Sequence, residues 1–183
     1  MIKSKIILDS KMVYKITITP DGNCFFRSLS EFLYNTEEKY NIIRMVIYMY
    51  AKCNVDVISE FQPNVEIKRN NYIDTATYIN NMGKDKYWAG DLEMQLACFI
   101  FGIKIAIYNN ENNTNEYYIQ KEDNETTEKY YFINLIILSN NEKDKIPIMV
   151  LNYKNENHYE LLYFKNHKDI TKQKKKWFKK TFQ

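Results

Sequence analysis

An α+β architecture, with an N-terminal helical part packed on a mostly antiparallel C-terminal sheet, is predicted by three observations. Apolar residues recur at helical spacing between Cys24 and Phe101, β-branched and aromatic runs separated by polar turns come after Gly102, and 183 residues amount to a single domain with a substantial core. Hydrophobic residues make up 45% of the chain and charged residues 27%, the balance of a globular protein.

Val13–Thr19 alternates and is β-branched, so it reads as a strand, ended by Pro20. The turn residues Asp21-Gly22-Asn23 come next, and Phe25, Leu29, Phe32 and Leu33 then predict a helix with Cys24 at its N-terminus. Thr36 is an N-cap with Glu37 and Glu38 behind it, opening a helix whose apolar stripe is Tyr40, Ile43, Ile47, Tyr50 and Ala51. Shorter helices are expected over Val55–Phe61 and over Tyr72–Met82, the latter closed by Gly83. Gly90-Asp91 opens a helix over Leu92–Phe101 that Gly102 ends. Strands are then expected at Ile103–Tyr108, Tyr117–Gln120, Tyr130–Leu138, Ile148–Tyr153 and His158–Phe164. The segment Thr171–Thr181 is either a basic amphipathic helix or without regular structure.

Charge divides the chain in two. Residues 165–183 hold eight Lys against Asp169, a net +7, so residues 1–164 carry −4 of the overall +3. A mildly acidic body is a poor nucleic-acid surface, whereas the tail mixes cations with Trp177 and Phe178, suited to a weak contact with an anionic membrane or with nucleic acid, or simply to water. The expected division is therefore a domain over 1–164 and a basic tail over 165–183. No run of apolar residues is long enough to cross a bilayer and no cleavable leader is evident, so an intracellular, cytosolic monomer is expected.

Cysteine is the residue type most suited to chemistry here. The three cysteines, Cys24, Cys53 and Cys98, are odd in number and widely spaced, which fits free thiols in a reducing compartment. Cys24 stands at a helix start, where unpaired N–H groups favour a thiolate and can receive an oxyanion; Cys53 and Cys98 read as structural. A thiolate needs a base. Of the two histidines, His167 lies in the tail, and His158 opens a strand on which Glu160 shares its face. A Cys-His-acid arrangement is thus possible, with a solvent-facing Glu160 the plainer alternative. Neither C-x-x-C nor H-x-x-x-H occurs, nor a glycine-rich phosphate loop, so neither a metal nor a nucleotide cofactor is expected.

The residues also carry a family pattern. Asp21-Gly22-Asn23-Cys24-Phe25-Phe26-Arg27 resembles the D-G-N-C-[LF]-[FY]-[RH] motif of the ovarian-tumour (OTU) cysteine deubiquitinases. Trp88-Ala89-Gly90-Asp91-Leu92-Glu93-Met94 resembles that family's W-G-G-D-[LI]-E-[LI] block, and Asn157-His158-Tyr159 its terminal N-H-Y block. The resemblance implies a papain-like OTU fold, no cofactor, and hydrolysis of the isopeptide bond after the C-terminal glycine of ubiquitin or of another ubiquitin-like modifier. It implies Cys24 as nucleophile and His158 as base. Glu160, Asp21 and Asn157 compete as third member, since Asp or Asn is usual two positions after the histidine. It further implies that Asp21, Gly22 and Asn23 shape the oxyanion loop, and that Trp88, Ala89, Gly90, Asn157 and Tyr159 line the channel for the ubiquitin tail. Ala89 replaces a usual Gly and would narrow that channel, while a core position for Trp88 is equally open. The regions Tyr72–Met82 and Asn109–Tyr118 are candidates for gripping ubiquitin's body. Two other readings stay open: another papain-like protease, which the 134-residue separation of Cys24 and His158 allows, and a catalytically impaired ubiquitin-binding module.

Overall fold

The computed structural model describes residues 3–8, 11–68, 71–109, 114–118, 148–154 and 158–163. These residues form two layers, a six-stranded mixed sheet and a set of five helices, with a small hairpin beside them. The sheet order is β1 (Lys3–Leu8), β2 (Lys11–Ile16), β8 (His158–Tyr163), β7 (Ile148–Lys154), β5 (Lys104–Asn109) and β6 (Thr114–Tyr118). All neighbours are antiparallel except β5 and β7, which pair in parallel from Lys104 opposite Ile148 to Asn109 opposite Tyr153.

The sheet is therefore not wholly C-terminal. The strand expected over Val13–Thr19 ends at Ile16 and begins earlier, at Lys11, because it pairs with the preceding β1 on one edge and with β8 on the other. Residues 17–20 leave the sheet to reach the turn before α1 (Cys24–Tyr34), and Ile18, though outside the strand, is fully buried.

Helix α1 begins at Cys24 as expected and buries Phe25, Phe26, Leu29, Phe32 and Leu33 against the sheet; Asn35 closes it in the left-handed conformation. Thr36 caps the next element by accepting the Glu38 N–H. That element opens with a 3-10 turn, Glu37–Lys39, which leads into α2 (Tyr40–Cys53), whose buried face is Ile43, Arg44, Ile47 and Ala51. Helix α3 (Val55–Phe61) matches its expected span, and helix α5 (Asp91–Phe101) begins one residue earlier than expected and is closed by Gly102 at φ 58°.

The expected helix over Tyr72–Met82 is shorter. Residues 71–74 are instead strand β4 (Asn71–Asp74), paired with β3 (Asn64–Lys68), and α4 covers only Thr75–Met82. The start signal is Asp74, whose carboxylate accepts the Thr77 N–H at 2.9 Å and caps the helix. Gly83 comes after α4 with a right-handed φ of −73°, so its need for glycine is spatial: a Cβ there would lie 2.8 Å from the Tyr48 ring. Strand β6 starts at Thr114, ahead of the expected Tyr117. The expected strand at Tyr130–Leu138, His167 and the tail lie outside the described residues. Cys98 is buried in α5, whereas Cys53, at the end of α2, is exposed.

Candidate active site

The nucleophile candidate sits where α1 meets β8. Gly22 turns the chain at φ 82°, a left-handed conformation, and its α-carbon lies so close to the next loop that a Cβ would stand 2.8 Å from the Lys86 carbonyl oxygen. Asp21 then organises the turn. Its Oδ1 accepts the Asn23 N–H at 3.0 Å, and its Oδ2 accepts the Asn23 side-chain amide at 3.2 Å and Arg27 at 2.6 and 3.0 Å. Partial burial acts to raise the Asp21 pKa, but the hydrogen bonds from Arg27 and Asn23 outweigh it and hold the carboxyl at about 2. Arg27 in turn stacks on Tyr40 at 3.9 Å.

Asn23 is fully buried, and its side chain is spent on tertiary contacts rather than on capping α1. Its Oδ1 accepts Arg44 Nη2 at 2.6 Å and the Lys86 N–H at 3.0 Å, while its Nδ2 donates to Asp21 and, at 3.1 Å, to Asp85. With its own N–H given to Asp21, the loop's remaining oxyanion candidates are the N–H groups of Gly22 and Cys24.

The Cys24 thiol faces the backbone N–H of Tyr159 in β8, the residue next to His158, as well as the N–H groups of Phe25 and of Cys24 itself. Burial pushes its pKa up; those three N–H groups act against burial, and the Asp21 charge adds to it. Tyr159 is fixed there by stacking on Tyr153, with ring centroids 4.9 Å apart, and by an edge contact with Phe25.

His158 is half-buried at the start of β8, opposite Lys154. Burial lowers its pKa, the Glu160 carboxylate raises it, Lys154 and Lys15 lower it, and its ring also meets the Ile18 carbonyl, which favours the protonated form. Glu160 is buried rather than solvent-facing. Its Oε1 accepts Lys15 at 3.1 Å, and its Oε2 accepts Lys154 at 2.9 Å and Asn152 at 3.2 Å. Burial works to raise its pKa, but the two lysines outweigh it, so the carboxyl stays below its ordinary value and ionised. Of the three competitors for the acid, Glu160 favours the protonated His158 by its charge, Asp21 pairs with Arg27, and Asn157 lies outside the described residues.

The second block flanks the nucleophile loop. Trp88 is 53% exposed, which removes the core reading, and Ala89 is half-buried against the core. Gly90 donates its N–H to Glu93 Oε2 at 3.0 Å, and a Cβ on it would press on the Tyr78 hydroxyl at 3.0 Å. Glu93 itself is fully buried, accepts the Tyr78 hydroxyl at 2.7 Å, and is pushed by burial to a pKa of about 7.

Sequence reading missed Arg44, Glu93, Lys15 and Asn152 as members of this environment. The signal for Arg44 was available: it lies beside Ile43 and three residues before Ile47, so it shares the buried face of α2, where a charge requires partners. Among the described residues, no group of three or more His, Cys, Asp or Glu converges as a metal ion would need, and no helix is long and apolar enough to cross a membrane.

Residues 19–159 match the family model described as OTU-like cysteine protease. The chain is 32% identical over 103 residues to OVARIAN TUMOR DOMAIN-containing deubiquitinating enzyme 7 of Arabidopsis thaliana, covering 56% of this chain and 26% of that protein. It is 23% identical over 167 residues to enzyme 10 of the same series, covering 90% of this chain and 39% of that protein, so it spans well under half of either relative. In fold it resembles an OTU deubiquitinase from Wolbachia pipientis wMel bound to ubiquitin, with a TM-score of 0.59 and 17% identity over 83% of this chain and 96% of that one. It likewise resembles the Hazara virus OTU bound to ubiquitin, with a TM-score of 0.54 and 15% identity over 90% and 88%.

Proposed function

The chain belongs to the OTU-like cysteine protease family, and from that premise we propose that it is a deubiquitinase, hydrolysing the isopeptide bond between the C-terminal glycine of ubiquitin and a lysine amine. The observation that carries the reading is the contact of the Cys24 thiol with the Tyr159 N–H, which joins the first turn of α1 to the strand of His158. Ubiquitin as partner is supported by the ubiquitin complexes of the related folds.

The chemistry proceeds from the ionisation of the Cys24–His158 pair. Burial favours the neutral thiol and the neutral imidazole, so the resting pair is uncharged and the proton moves as the substrate is attacked. His158 takes the Cys24 proton, and the sulfur bonds to the glycine carbonyl carbon. The resulting oxyanion is received by N–H groups at Gly22 and Cys24. Collapse breaks the C–N bond, and His158 gives its proton to the departing lysine amine. Water, deprotonated by His158, then hydrolyses the thioester, releasing a ubiquitin carboxylate and restoring the thiol. Glu160, kept ionised by Lys15 and Lys154, steadies the imidazolium in both half-reactions. Exposed Trp88 offers an apolar wall for the extended ubiquitin tail.

Incubation of di-ubiquitin with the full chain and with Cys24→Ala tests the reading. Mono-ubiquitin should accumulate with the native chain only; equal cleavage by both, or none by either, contradicts it.

A further inference from the structure

We infer that Arg44 is a positioning residue for the nucleophile loop, acting through the side chain of Asn23. The inference rests on the deubiquitinase reading for its kinetic consequence, but its structural content does not.

Asn23 stands between Gly22 and Cys24, so whatever fixes its amide fixes the loop backbone that carries their N–H groups, while the thiol is also held by the N–H groups of Tyr159 and Phe25. Three of its four side-chain contacts come from turns, namely Asp21, Asp85 and the Lys86 N–H. Arg44 supplies the one contact from a regular helix, and at 2.6 Å it is the shortest, as expected of a charge-assisted bond. The guanidinium is itself held on several sides. Nη1 donates to the Met82 carbonyl at the end of α4 at 2.9 Å, and the plane lies 3.9 Å from the centre of the Phe26 ring in α1. Burial disfavours the charged form, which the carboxylates of Glu93, Asp85 and Asp21 offset in part. One side chain thus ties α1, α2, α4 and the loop together.

A lysine cannot substitute. Its single ammonium cannot reach two acceptors in fixed fork geometry while stacking on a ring. In Arg44→Lys, Asn23 would keep the turn contacts but lose its rigid anchor, and the loop N–H groups would drift from the oxyanion while the thiol keeps its contacts with the Tyr159 and Phe25 N–H groups. Misplacement by about an ångström costs up to roughly a hundredfold in rate.

The test compares the native chain with Arg44→Lys and Arg44→Met by three readouts. These are hydrolysis of ubiquitin carrying a C-terminal fluorophore, iodoacetamide alkylation mapped to Cys24 by mass spectrometry, and amide NMR of Asn23 and Lys86. For Arg44→Lys, kcat should fall on the order of tenfold or more, with KM and the alkylation rate within about twofold, and the Asn23 side-chain and Lys86 amide signals should move. A kcat within about twofold of native with only a lowered melting temperature, or a kcat loss matched by an equal loss of alkylation, overturns the inference. So do unmoved Asn23 and Lys86 signals. Should Arg44→Met not fold, Arg44→Lys decides alone. If the native chain leaves the ubiquitin substrate intact, the deubiquitinase reading fails by itself, and the amide signals still uphold or overturn the role of Arg44.

Discussion

At the scale of single residues the site depends on which groups face one imidazole. Glu160 raises the His158 pKa and the two lysines lower it, so removing either kind of charge should move the acid limb of kcat/KM in opposite directions. Glu160→Gln should shift that limb to lower pH, and Lys15→Met to higher pH; a pH–rate profile on a ubiquitin fluorophore substrate reads both. Movement in the same direction would contradict the arrangement. Gly22 is a second single-residue constraint. Gly22→Ala places a methyl group against the Lys86 carbonyl at positive φ, which should cost about 1–3 kcal/mol, read by denaturant unfolding. Much of the site was legible at this scale, because Asp21-Gly22-Asn23-Cys24 are consecutive and their turn chemistry is local. What was not legible was the commitment of each polar group. That Arg27 claims Asp21 is not written in the turn motif, and Lys15 is 145 positions from the carboxylate it meets.

At the scale of elements, local signals succeeded where they were self-contained and failed where a partner decided. Helices α1 and α5 end on signals adjacent to their own spans, Asn35 and Gly102 in left-handed closing turns. Residues 71–74 instead became a strand because β3 pairs with them, a contact periodicity does not contain. Asp74→Ala should lower stability, measured by urea unfolding, through loss of the α4 cap. In α5 the buried Glu93 has the opposite sense. Its folded pKa of about 7 exceeds its unfolded value, so the folded state binds the extra proton, and stability declines as pH rises between the two. Glu93→Gln keeps an acceptor for Gly90 and Tyr78 while removing that titration. The fall in melting temperature between the ordinary glutamate range and neutral pH should be shallower in the variant; an unchanged slope would place the proton elsewhere.

At the scale of the molecule, topology brings together what the sequence separates. β8 is drawn beside β2 on one side and β7 on the other, so the last described strand lies against the first turn of α1. The α+β class was readable from the order of periodicities, yet the parallel β5–β7 pair and the joining of β1 and β2 to the C-terminal strands were not, since pairing partners are long-range. That same pairing brings His158, 134 positions from Cys24, onto the strand whose Tyr159 N–H meets the thiol. The most direct test of the account is reaction of the full chain with ubiquitin bearing a C-terminal thiol-reactive group, then mapping of the adduct. One covalent ubiquitin on Cys24, absent from Cys24→Ala, is the expected result; an adduct on exposed Cys53 instead, or no adduct at all, would contradict it.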